Sequence, residues 1–277
     1  MKSKILGLLA TGLLAGPITV GAVDVQSSTS AYMTGRSCVA GTTVCDAIGP
    51  VVVSEIDGSP GDLSAAANLS DATYGSASGS AQLTGTDGAA NHTGTATSLA
   101  GTRTNSNTYA LQRYTYAGAS AAMLTFSGTL TFDQTVPAEN AGFDPNNAVA
   151  VYSGAAAALE IFTLSDSYLD AGVTDYDNFL ALFGGYTGAP GYVSLGYTDT
   201  GGLSNISGNG TIEIWLSVLV NPGDSIWLWS ALQTPSVNGA VVDASFVTST
   251  RVPEPGTLAL LGLGLAGLGL SRRRKTA

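Results

Sequence analysis

Histidine occurs once in these 277 residues, as His92, and cysteine twice, as Cys38 and Cys45. No lysine lies between Lys4 and Lys275, and between Lys4 and Arg272 the only cations are Arg36, Arg103, Arg113 and Arg251. Each scarcity closes a class of chemistry. One imidazole and two thiols cannot supply a four-ligand zinc centre. A serine hydrolase needs a base beside its nucleophile, and no G-x-S-x-G turn occurs anywhere in the chain. His92 lies in the polar stretch AANHTGT and is expected in an exposed loop. The glycine repeats of GLGLAGLGL fall in an apolar tail, so they do not read as a phosphate-cradling loop. No catalytic residue, metal or cofactor is therefore expected.

Charge is sparse and unevenly divided. All twenty carboxylates lie between Asp24 and Glu254, against four arginines, which leaves that segment at −16. The two ends carry six cations and no acid. An acidic body repels nucleic acid and anionic membrane alike, and suits a soluble exported protein. Glycine is abundant, at 36 residues, and small and hydroxylated side chains dominate. That composition fits an extracellular β protein.

What is present in the second half is a period of two. In AAMLTFSGTLTFDQTVP, Ala122, Leu124, Phe126, Gly128, Leu130 and Phe132 share one face, while Met123, Thr125, Ser127, Thr129, Thr131 and Asp133 share the other. TIEIWLSVLV repeats the pattern with Ile212, Ile214, Leu216, Val218 and Val220. SIWLWSAL places Ile226, Leu228 and Leu232 opposite Trp227 and Trp229. The turn Asn221-Pro222-Gly223-Asp224 between these two segments predicts a hairpin. AVVDASFVTST is a last strand, and others are expected near 51–56, 109–116, 148–152 and 159–164, with a short helix near 176–183. Between Asp24 and Arg103 the chain is poor in large apolar residues. SASGSAQLTGTDGAANHTGTATSLAG reads there as exposed hairpins or a mobile loop. Many short strands joined by Gly, Asn and Asp turns predict an all-β antiparallel sandwich, jelly-roll-like, over residues 23–252.

Both ends look like processing segments. MKSKILGLLATGLLAGPITVGA has a basic start at Lys2 and Lys4, an apolar stretch and small residues at Val20-Gly21-Ala22, which is a signal peptide over residues 1–22. Export would place Cys38 and Cys45 of SCVAGTTVC in an oxidising compartment, where they can close a small disulfide loop stabilising by about 2–3 kcal/mol. At the other end, Pro253 and Pro255 bracket Glu254 and hold the backbone extended. Gly256 to Leu270 follows without a charge, and as a helix it would run about 22 Å against a hydrocarbon core of about 30 Å. Arg272, Arg273, Arg274 and Lys275 then resist translocation.

A V-P-E-P-G-T motif, a Leu/Gly/Ala helix and an arginine-rich end together resemble the PEP-CTERM sorting domain of bacterial exported proteins. The matching residues are Pro253, Glu254 and Pro255, the apolar stretch to Leu270, and the basic stop Arg272 to Lys275. The resemblance implies a sorting segment over residues 253–277 with a single transmembrane helix. It implies recognition by an exosortase, cleavage near the tripeptide and delivery to the cell surface or an exopolysaccharide matrix. On that reading the protein is the substrate of another enzyme.

Three sets of side chains compete for a role in the body. Glu160 and Glu213 lie mid-strand in apolar stretches and are the best pair for a glycoside-cleaving cleft. Asp170, Asp175 and Asp177 cluster in DAGVTDYDN, though without the spacing of a calcium loop. Trp215, Trp227 and Trp229 could stack on sugar rings of an extracellular polysaccharide, or else form a second buried layer. The expectation is a surface or matrix component without catalysis, with carbohydrate binding as the alternative and hydrolysis behind it.

Overall fold

The computed structural model describes residues 29–38, 45–46, 56–57, 63–84, 89–116, 118, 120–138, 153–163, 192–201 and 206–251. The signal peptide expected over 1–22, the strands expected at 51–55 and 148–152, the helix expected near 176–183, Asp170, Asp175, Asp177 and the sorting segment 253–277 lie outside the described residues.

Thirteen strands are described: β1 (Thr29–Cys38), β2 (Cys45–Asp46), β3 (Ile56–Asp57), β4 (Leu63–Asp71), β5 (Gly75–Thr84), β6 (Ala89–Ser98), β7 (Thr102–Thr115), β8 (Ala122–Thr135), β9 (Ala156–Thr163), β10 (Val193–Gly201), β11 (Gly208–Val220), β12 (Ser225–Val237) and β13 (Val241–Arg251). They form two antiparallel sheets. The first runs β10-β9-β12-β7-β1-β2, with β3 also on β1, and the second runs β11-β8-β13-β6-β5-β4.

Within them, β6 pairs with β13, β7 with β12, β8 with β11 and β9 with β10. Pairs nested in this way and divided between two facing sheets give a jelly roll. The earlier strands widen it: β1 adds to β7 in one sheet, and β5 and β4 add to β6 in the other.

The predicted alternation decides which side of each strand enters the core. Leu124, Phe126 and Leu130 of β8, Ile214, Val218 and Val220 of β11, and Ile226, Leu228 and Leu232 of β12 meet between the sheets with Tyr114 and Phe246. Gly128 takes its predicted place on the inner face of β8, where the ring of Phe246 fills the space a side chain would use.

The hairpin expected at Asn221–Asp224 does not form. β11 pairs with β8 in one sheet, whereas β12 lies between β9 and β7 in the other. The turn exists, with Asn221 N–H donating to Asp224 Oδ2 at 2.7 Å. It docks on Tyr116, whose N–H donates to Asp224 O and whose carbonyl accepts from Gly223 N–H. The cause is the burial demand of the two strands. β12 is covered on both faces, while β11 has one wet face. A strand buried on both sides needs a partner on each edge, and β11 is better used at the rim of the opposite sheet.

The small-residue stretch before Arg103 forms hairpins, one of its two expected readings, but with one face buried rather than exposed. SASGSAQLT and AANHTGTATS are β5 and β6, paired with each other and, through β6, with β13. Their inner faces carry Ala77, Ala81, Ala90, His92 and Ala96, all buried. Hydroxyls take the role that methyl groups have elsewhere in this interior. Ser236 Oγ donates to Ala240 O at 2.6 Å and lies 3.0 Å from the Ser98 hydroxyl, and Thr234 packs on Gly94. His92 is completely buried, with Nδ1 3.0 Å from Thr108 Oγ1 and Nε2 2.9 Å from Ser230 Oγ. It is a core residue joining both sheets, which overturns its expected place in an exposed loop.

Candidate functional site

Sheet geometry puts residues of alternate parity on the outer face of the first sheet. Register aligns Tyr197 of β10 with Glu160 of β9 and Trp229 of β12. One step along, Asp199, Ala158, Ala231 and Tyr109 form the next row, and Gly201, Ala156, Gln233 and Asn107 the one after. The middle of the face therefore carries only Ala156, Ala158 and Ala231, while large side chains stand around it. The result is a groove of about 310 Å³ whose lining includes Tyr197, Asp199, Trp229 and Gln233. β10 and β12 lie two strand spacings apart, about 10 Å, and Trp229 and Gln233 are about 14 Å apart along β12.

The walls are held in place. The indole of Trp229 stacks on Tyr109, with ring centroids 6.1 Å apart and planes inclined by 20°. Tyr197, 54% exposed, donates its hydroxyl to Asp199 Oδ2 at 3.1 Å. Partial burial, then the Asp199 carboxylate it bonds and the more distant Glu160, raise the Tyr197 phenol above its ordinary pKa. It is thus a neutral donor at physiological pH, and Asp199 keeps further lone pairs facing the groove. Gln233, exposed at the far end, brings an amide with both donor and acceptor character.

The residues singled out from sequence are distributed rather than gathered. Trp227 is buried on the outer side of the first sheet against Leu111 and Phe162, with Arg113 5.9 Å over its ring. It belongs to the second buried layer. Trp229 is half-buried at the groove, and Trp215 is 68% exposed on the outer face of the other sheet. The three tryptophans do not make one platform. Glu160 is buried beside the groove, accepting from Tyr192 Oη at 2.6 Å and Ser194 Oγ at 2.9 Å. Glu213 is exposed on the outer face of the second sheet. The two carboxylates stand on opposite outsides of the sandwich and do not form a cleft.

Tyr109, Tyr197, Asp199 and Gln233 were missed by sequence reasoning. The alternation Tyr197, Asp199, Gly201 in YTDTG was the available signal, since it puts an aromatic, an acid and a gap on one strand face. Cys38 and Cys45 are direct partners in the β1–β2 register. No group of three or more His, Cys, Asp or Glu side chains suited to a metal ion occurs among the described residues.

Residues 251–275 match the family model of the PEP-CTERM protein-sorting motif, so the chain carries that motif beyond the end of β13. No curated protein matches the chain. Among solved structures, TmCBM61 in complex with β-1,4-galactotriose is 12% identical, covering 59% of this chain and 82% of its own, with a TM-score of 0.23. The enzymatically active domain of bacteriophage CBA120 tailspike protein 4 is 8% identical over 84% of this chain and 21% of its own, with a TM-score of 0.25. A carbohydrate-binding module from the β-sandwich superfamily is 11% identical over 85% of this chain and 95% of its own, at 0.20. Likenesses this low assign neither fold nor ligand.

Proposed function

We propose that this is an exported surface or matrix protein, processed at its sorting motif, whose body is non-catalytic and holds extracellular polysaccharide in the outer groove of the first sheet. The motif at residues 251–275 supports handling by an exosortase at the membrane. It follows the last described strand directly, so cleavage near Pro253–Pro255 would leave every described strand intact. The signal peptide over residues 1–22 and the membrane-spanning helix before Arg272 belong to this reading.

The observation that carries the ligand class is the alanine floor edged by Trp229, Tyr197, Asp199 and Gln233. A sugar ring has apolar C–H faces and a rim of hydroxyls. Aromatic side chains meet the faces, and a carboxylate and an amide meet the rim. An open groove on a sheet accepts a chain that continues past both ends. Glu160 and Glu213, the pair singled out for hydrolysis, stand on opposite outer faces, which supports a non-catalytic reading.

Two measurements test the reading. Mass spectrometry of the protein recovered from producing cells should find its C-terminus near Pro253–Pro255, and an intact Ala277 in cells that contain the processing enzyme would overturn the sorting. Affinity electrophoresis through gels containing the producer's own exopolysaccharide should retard the wild type and not Trp229→Ala. Equal mobility of the two in every polysaccharide gel would overturn the groove.

A further inference from the structure

The outer face of the second sheet has an apolar corner, and it lies where the chain leaves the fold. Trp215 and Leu219 of the edge strand β11 point outward there, at 68% and 62% exposure, and Met123 of β8 is the direct partner of Leu219. Ser217 and Thr125, hydrogen-bonded at 2.9 Å, lie between the tryptophan and that pair, and Ser127 and Ser249 bond at 2.9 Å beside Trp215. None of these side chains is charged. Glu213, next outward on β11, marks one boundary of the patch. Asp224, in the following turn, is turned back onto Asn221.

β13 ends at Arg251, which is opposite Thr125 and therefore level with the middle of this patch. Two strand spacings, about 10 Å, separate it from β11. The apolar part of the sorting segment begins at Gly256, five residues on, a reach of at most about 17 Å. A bilayer holding that segment is thus within reach of Trp215, Leu219 and Met123.

We propose that, before cleavage, this corner of the second sheet rests on the lipid surface, with Trp215 at the level of the headgroups. Tryptophan favours that depth because its ring is apolar and its N–H is polar. The patch then orients the body on the membrane and presents Pro253–Pro255 in one direction to the processing enzyme. Once the tail is removed, three exposed side chains are too few to hold an acidic body at the surface, and the protein leaves. The proposal rests on the sorting reading of residues 251–275.

The test uses the uncleaved full-length protein reconstituted into vesicles of phosphatidylethanolamine and phosphatidylglycerol, with and without brominated acyl chains. The three tryptophans are all in the body, so any emission lost to bromine reports the body and not the tail. Expected are co-flotation with the vesicles and bromine quenching that Trp215→Phe abolishes and that Leu219→Asp with Met123→Asp weakens. Co-flotation with quenching absent, or unchanged in Trp215→Phe, overturns the patch and leaves the sorting reading standing. Failure to float overturns both.

Discussion

Nε2 of His92 lies 2.9 Å from Oγ of Ser230, a residue 138 positions away on the facing sheet. On the other side of the ring Nδ1 meets Thr108 Oγ1, and Phe246 stacks on the imidazole with centroids 5.9 Å apart. Burial alone holds its pKa at about 3, down from 6.5. The neutral ring thus closes a polar bridge across the interior.

The bridge makes stability depend on pH in a stated direction. Between pH 6.5 and about 3 the unfolded chain takes up a proton on this ring and the folded one does not, so stability is full above pH 6.5 and is lost as pH falls through that window. One proton corresponds to a slope of about 1.4 kcal/mol per pH unit. Urea midpoints measured at several pH values should show a steeper decline for the wild type than for His92→Gln, whose carboxylates contribute equally. Parallel profiles would mean that the ring is protonated in the folded state.

Filling the groove should block it without removing any of its contacts. Ala231→Phe puts a ring where Ala231 forms the floor between Trp229 and Gln233. Polysaccharide retardation should fall at least as far as with Trp229→Ala, a change of about tenfold for each 1.4 kcal/mol lost. Tyr197→Phe keeps the ring and loses the bond to Asp199, and should weaken binding less. Isothermal titration with oligosaccharides ranks the three.

Gly128 has no room for a side chain. A Cβ there would overlap the ring of Phe246. Gly128→Val should cost at least about 1–3 kcal/mol through overpacking. Phe246→Ala should cost about 3–5 kcal/mol through the cavity it leaves. If the contact is the cause, the double variant should cost less than the sum of the two, as read from a double-mutant cycle of urea unfolding.

The β1–β2 register makes Cys38 and Cys45 direct cross-strand partners. The exported protein should therefore react with alkylating reagents only after reduction. Reduction should lower stability by about 2–3 kcal/mol, the entropy of a short closed loop. Alkylation of both thiols in the unreduced protein would show them free.

Local composition by itself determined the sorting motif and the faces of the later strands. The sorting motif is contiguous, so every part of its logic is written in neighbouring residues. In β8, β11 and β12, large apolar side chains alternate with polar ones, and the outward side of Trp227 and Trp229 could be read against Ile226 and Leu228. Where the buried side chains are Ala, Gly, Ser and Thr, the same alternation exists without a hydrophobic signal. β5 and β6 therefore read as exposed hairpins or a mobile loop, and His92 read as exposed.

Which sheet each strand joins was decided by the tertiary structure alone. The turn at Asn221–Asp224 is local, but whether it folds a hairpin or carries the chain across the sandwich depends on β7, β8 and β9, which are distant in sequence. The groove has the same origin. Tyr197, Ala158 and Ala231 become neighbours through cross-strand register, and Trp215 is parted from Trp229 because their strands join opposite sheets. Pairings of this kind are paid for in the free energy of the whole sandwich, so no single stretch of the sequence encodes them.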